Sequence, residues 1–172
     1  MAQRKGMITP EPGQAQQPIY LPMPQRERTQ PIYTPQGGPP QVDRPNQAIL
    51  EILGQEGIFR ILSNTYKRIG SSPIRPMFAE DLEAASRRSA AFFVQVMGGE
   101  PLYTENYGPP RMRQRHFPFE IDAAAREEWL KCFKGSLQED VEQHGFPAEH
   151  LASFETFLNE FSKWMVNVEP QA

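Results

Sequence analysis

The chain has 172 residues, a hydrophobic fraction of 38%, 18 prolines and a formal net charge of −3, enough for one domain with a usable core. That charge offers no electrostatic case for nucleic acid or an anionic membrane, and no apolar run approaches the ~18 residues of a membrane span. The lone Cys132 cannot form an internal disulfide, and Arg4 and Lys5 have no apolar stretch behind them as a secretory signal would, so a cytoplasmic chain is expected.

The composition changes near Pro45. Ten of the 18 prolines fall at or before that residue, among many glutamines and almost no apolar periodicity. Such a stretch buries too little apolar surface to offset its conformational entropy. The expected organisation is therefore an extended or disordered proline/glutamine-rich extension over 1–45 and a folded domain over 46–172. The extension contains a repeat: Gln17-Pro18-Ile19-Tyr20-Leu21-Pro22 returns as Gln30-Pro31-Ile32-Tyr33-Thr34-Pro35. Two readings stay open, compositional chance or a bivalent linear motif whose Ile-Tyr anchors engage a protein partner through Pro18–Pro22 and Pro31–Pro35.

From Asn46 the pattern turns helical. Ile49, Leu50, Ile52 and Leu53 predict a short amphipathic helix stopping near Gly54, and Phe59, Leu62, Tyr66 and Ile69 a second one. Gly70-Ser71-Ser72-Pro73 ends it, with Phe78 in the connection that follows. A third helix is expected from about Glu80 to Met97, with Leu82, Ala85, Ser89, Phe92 and Val96 on one face, Arg87 and Arg88 pointing elsewhere, and Gly98-Gly99 as the stop. Residues 100–118 carry four prolines and no convincing period, so at most a turn or two of helix is expected near His116. Asp122 is a plausible N-cap for a fourth helix through Trp129, Phe133, Leu137 and Val141, and Pro147 opens a last one through Leu151, Phe154, Leu158, Phe161 and Met165. No segment alternates as a strand, which makes the fold class all-α.

His116 is the residue around which this pattern closes. It ends the run Gly98-Gly99-Glu100-Pro101-Leu102-Tyr103 … Gly108-Pro109-Pro110-Arg111-Met112-Arg113-Gln114-Arg115-His116-Phe117-Pro118-Phe119, and Trp129 follows on the next helix. Taken alone, a loop histidine reads as a surface residue, though a neutral imidazole braced by prolines can also serve as a metal ligand. A zinc site is disfavoured, because no paired Cys or His stands at ligand spacing. The alternating Arg111, Arg113 and Arg115 read either as a solvated basic strip or as partners for carboxylates. Tyr66 and Trp129, by position alone, read as core residues.

Taken together, these motifs resemble the truncated haemoglobins, specifically the group that carries a tryptophan and a tyrosine beside the bound ligand. The resemblance runs from about Gly54 to Phe133, with Pro109 in place of a common histidine and Thr65 in place of a common phenylalanine. It implies a truncated globin, a two-over-two helical sandwich around haem b, with His116 as the iron ligand. Tyr66 and Trp129 would donate hydrogen bonds to the ligand. Phe78, Ala85, Ser89, Phe92 and Phe119 would line the haem, and Arg113 and Arg115 would meet its propionates. The expected function is binding of dioxygen or another diatomic ligand, with redox conversion of nitric oxide or peroxide drawing on an unknown reductase. The alternatives are a globin-like interaction subunit tethered through its proline-rich arm, or a haem-based sensor.

Overall fold

Three side-chain caps set where the long helices begin. Asn46 accepts from Ala48 N, Asp81 from Ala84 N and Asp122 from Ala125 N, each at 2.8–2.9 Å. Each satisfies one of the N–H groups that a helix start leaves without a partner, a contribution of about 1 kcal/mol. The computed structural model describes residues 26–171. Its helices are α1 (Gln47–Gly70), α2 (Leu82–Val96), α3 (Leu102–Tyr107), α4 (Met112–His116), α5 (Ala123–Gln143) and α6 (Leu151–Met165), with 3-10 turns at Arg75–Met77 and Ala148–His150. Among the described residues there is no strand.

The break predicted at Gly54 is present as a kink within α1: its φ of 66° and ψ of 175° are non-helical, a conformation that glycine alone adopts without strain. At the end of α2, Gly98 has a φ of 86°. Its neighbour Gly99 is needed for space, since a Cβ there would stand 2.6 Å from a Leu50 side-chain carbon. The segment before His116 is more ordered than its prolines suggest. Besides α4, it forms α3, which spans six residues between Pro101 and Gly108 and is too short for a periodicity to show.

Helix α1 packs on α2 and α5, and α6 packs on α5 and α4. Phe93 of α2, Phe133 of α5 and Phe154 of α6 form the aromatic centre, with ring centroids 5.1–5.9 Å apart in edge-to-face arrangements. A two-point ion pair ties α1 to α5: Arg60 Nε and Nη2 donate to the two carboxylate oxygens of the fully buried Asp140 at 2.8 and 3.1 Å.

The proline-rich stretch is extended over 26–45 and carries no helix there, but it does not stand away from the helices. Tyr33 N donates to Asn167 O at 3.0 Å, Arg28 reaches the carbonyls of Phe117 and Phe119, and Glu120 accepts from Thr29 and Gln30. Main-chain groups without secondary structure need partners wherever they leave water, and here the segment after α4 and the turn after α6 supply them. The second repeat copy, Pro31–Pro35, is thus laid along its own domain through Tyr33. The first copy, Pro18–Pro22 with Tyr20, lies outside the described residues.

Candidate functional site

Helices α2, α4, α5 and α6 and the end of α1 enclose a largely apolar cavity of about 290 Å³. Most sequence-predicted site residues line it. Tyr66 comes from α1, Phe78 from the connection after it, and Ala85, Ser89 and Phe92 from one face of α2. Arg115 and His116 come from α4, Phe119 from the turn beyond, and Trp129 from α5.

His116 is placed by a turn in the left-handed region at Arg111, whose φ is 36°, followed by the short helix α4. Its Nδ1–H donates to Met112 O, one turn back, at 2.6 Å. That bond sets the tautomer and leaves the Nε2 lone pair in the cavity wall, without a hydrogen-bond partner among the described residues. Burial holds the imidazole below its ordinary pKa, with the Met112 bond opposing that effect. The neutral, metal-binding form is therefore the one present at neutral pH.

Across the cavity, the Tyr66 hydroxyl lies 2.6 Å from Ser89 Oγ, and its ring meets Phe78 edge-on at 5.6 Å. Burial raises the Tyr66 pKa, against a smaller lowering from the Ser89 bond, so the phenol stays protonated and able to donate. Trp129 packs edge-on against Phe133 at 5.3 Å. Its indole N–H makes no hydrogen bond among the described residues, and Trp129 and Tyr66 line the same cavity as His116.

The three arginines before His116 do not act together. In an α-helix residues two apart point about 200° apart, so Arg113 and Arg115 leave α4 on opposite sides. Arg115 lies 5.4 Å over the Tyr103 ring, beside the cavity, and its Nε and Nη2 hold the carbonyls of Tyr107, Pro109 and Pro110. Arg113, expected at the cofactor, does not line the cavity. It donates to the carbonyls of Trp164, Val166 and Tyr33 and stacks 4.3 Å over the Trp164 ring. Arg111 is exposed.

In place of Arg113, the structure brings in Arg88, which sequence reasoning had pointed elsewhere. Arg88 lines the cavity, its guanidinium lies 5.7 Å over the Tyr107 ring, and its Nε is buried without a hydrogen-bond partner among the described residues. The signal was present: Ala85, Arg88 and Phe92 follow the i, i+3, i+7 spacing of one helical face. Tyr103, 3% exposed on α3, also lines the cavity between Arg88 and Arg115. Burial raises its pKa, and the two arginines lower it.

Comparison with known proteins agrees with this arrangement. A family model described as bacterial-like globin matches residues 48–166, and the chain belongs to that family. Its relatives place it with the group II truncated haemoglobins. The group 2 truncated hemoglobin YjbI of Bacillus subtilis (strain 168) is 38% identical over 88 residues, which is 51% of this chain and 67% of that protein. The two-on-two hemoglobin-3 of Arabidopsis thaliana is 31% identical over 55% of this chain and 56% of its own length. Among solved structures, phosphate-bound Hell's gate globin IV superposes with a TM-score of 0.70 at 33% identity, covering 77% of this chain and 82% of that one. The group II truncated hemoglobin of Bacillus anthracis gives 0.62 at 32%, covering 71% and 92%. The all-helical fold is that of a truncated globin, and membership of the family brings with it a haem cofactor and diatomic gas ligands.

Proposed function

We propose that the chain holds haem b through His116 and binds dioxygen or a related diatomic ligand at its iron. The observation that carries this reading is the His116 geometry: Nδ1–H committed to the Met112 carbonyl at 2.6 Å, Nε2 free in the wall of an apolar cavity. Among the described residues no three His, Cys, Asp or Glu side chains gather as a metal site. A single imidazole cannot retain a bare ion, but it suits an iron whose other ligands come from a flat macrocycle.

The rest of the cavity fits that group. Arg88 and Arg115 bring cationic donors, one with a buried unpartnered Nε, where propionates would need charge-assisted partners. Phe78, Phe92 and Phe119 supply apolar walls that keep water from the centre. Haem iron, when bound, supplies the diatomic binding chemistry. Tyr66 Oη–H and Trp129 Nε1–H would supply hydrogen bonds to the bound diatomic ligand, and Ala85, being small, would leave room beside them. Conversion of nitric oxide or peroxide at this site would draw its electrons from a separate reductase. A protein partner at Pro31–Pro35 would compete with the two main-chain hydrogen bonds that Tyr33 makes to the domain, so we assign that copy to the domain.

The test replaces His116 by glycine in the full chain. Haem retention and the ferrous absorption spectrum should be lost, and added imidazole should restore the spectrum. Haem held with an unchanged spectrum in His116→Gly would show that another residue is the ligand.

A further inference from the structure

The reading of His116 as iron ligand makes the backbone that carries it important, and that backbone is held largely from outside. The fully buried Asn167, beyond α6, donates from Nδ2 to the His116 carbonyl at 3.1 Å and accepts from Ile121 N at 3.1 Å. Arg28, 88 positions before His116, completes the arrangement. Its Nη1 donates to Phe117 O at 2.8 Å, Phe119 O at 3.2 Å and Asn167 Oδ1 at 3.0 Å, and its Nη2 donates to Asn167 O at 2.9 Å. Among the described residues the guanidinium makes no ion pair at contact distance. Apart from the Gln30 carbonyl taken by Nε, every acceptor it reaches among the described residues belongs to the segment after His116 or to the asparagine bonded to His116.

Two further attachments keep Arg28 in place. Glu120 accepts from Thr29 N at 2.6 Å, from the Thr29 hydroxyl and from Gln30 N at 2.8 Å, and Arg113 Nη2 holds Tyr33 O at 2.7 Å. Arg26 lies 5.1 Å over the Phe119 ring, which lines the cavity.

We propose that residues 26–35 form a strap, with Arg28 as a positioning residue that fixes the backbone carrying His116 and so sets how the imidazole is presented to the iron. The inference rests on the haem reading above. The fork geometry explains why arginine is needed: one planar group with several donors can bridge carbonyls on two segments, which an ammonium on a flexible stem cannot do together. Without it, the carbonyls of Phe117 and Phe119 would have to turn toward other partners, and His116 would ride on a looser loop.

The test uses the full chain with Arg28→Ala and Arg28→Lys. Arg60→Ala serves as a control that lowers stability through the distant α1–α5 ion pair. Two readouts separate positioning from stability: the iron–histidine stretching frequency of the ferrous protein, and amide hydrogen exchange at Phe119 and Ile121 in the haem-free protein. Arg28→Ala should shift the frequency and speed exchange at those amides roughly tenfold, as expected for losing about 1.4 kcal/mol of charge-assisted bonding. Arg28→Lys should fall between, and Arg60→Ala should lower Tm without moving the frequency. If Arg28→Ala does not fold, a shifted frequency in Arg28→Lys supports the same conclusion, and an unmoved one overturns it. Frequency and exchange that stay put in Arg28→Ala while Tm falls would reduce the strap to a stabilising staple. A histidine band that survives His116→Gly overturns the ligand assignment and this inference with it. A band lost there but unmoved in both Arg28 variants overturns the inference alone.

Discussion

The Tyr66 hydroxyl and Ser89 Oγ lie 2.6 Å apart, so the phenol expected to face the ligand already has a partner inside the pocket. Either hydroxyl can donate across that distance, and a phenol is the better donor, which favours the direction from Tyr66 to Ser89. An arriving ligand must compete for that proton. Ser89→Ala removes the competitor and should slow dioxygen dissociation about fivefold, the equivalent of one hydrogen bond of about 1 kcal/mol. Stopped-flow dissociation checks it, and a faster rate would show Ser89 donating to Tyr66 instead.

Tyr66→Phe removes only the hydroxyl, while Trp129→Phe removes the indole donor and opens space. Each should speed dioxygen dissociation by roughly ten- to a hundredfold where the other donor does not compensate. Carbon monoxide should respond less, being less polar when bound. The double variant gives the coupling between the two donors. Unchanged rates in all three would make both side chains core filler.

Arg88 and Arg113 should separate cleanly. Arg88→Met removes a donor beside the cavity and should accelerate haem loss about tenfold, the scale of a partly exposed charge-assisted bond. Arg113→Met removes contacts to Trp164, Val166 and Tyr33 and should lower Tm while changing haem loss less. Transfer of haem to an excess of acceptor apoprotein measures both rates.

Asp140 is fully buried, whereas the Arg60 side chain is about one-third exposed. Arg60→Ala leaves the carboxylate without its charge partner and should destabilise the fold by about 2–3 kcal/mol, less than a pair buried on both sides because solvent screens the arginine. Denaturant unfolding of the haem-free protein measures it.

The strap also carries a pH signature. The Thr29 side-chain bond, followed by the Gln30 and Thr29 main-chain N–H bonds, holds the Glu120 pKa below the usual carboxylate value. A depressed carboxylate contributes stability above its unfolded pKa and loses it as pH falls through the folded one. Exchange protection at Thr29 and Gln30 should therefore persist to a pH below the ordinary carboxylate range, then fall. In Glu120→Gln that acid-dependent step should disappear.

Much of this fold was legible because helices announce themselves locally. Asp122 stood at the expected cap, the helical pattern began at Asn46 as expected, Gly54 and Gly98 stood at the expected breaks, and the stripes from Phe59 to Ile69 and from Leu151 to Met165 mark faces that bury. The six-residue α3 was not legible, since a helix of that length shows no period. Arg113 was expected at the propionates because the resemblance and the alternating basic cluster of Arg111, Arg113 and Arg115 suggested carboxylate partners. Once α4 is a helix, alternate positions diverge, and Arg115 and Arg113 part company.

Residue order alone determined the four long helices, the cap at Asp122, and the motif from Gly98 to Phe119 with His116 at its end, because caps, glycine turns and apolar spacing act over a few residues. Tertiary structure alone decided which cations face the cavity, that Ser89 engages Tyr66, and that the strap reaches the carbonyls beside His116. These depend on contacts between residues as far apart as Arg28 and Asn167. No local pattern encodes such contacts, since each is set only when separate helices have packed and their unpaired carbonyls and amides find what lies nearest.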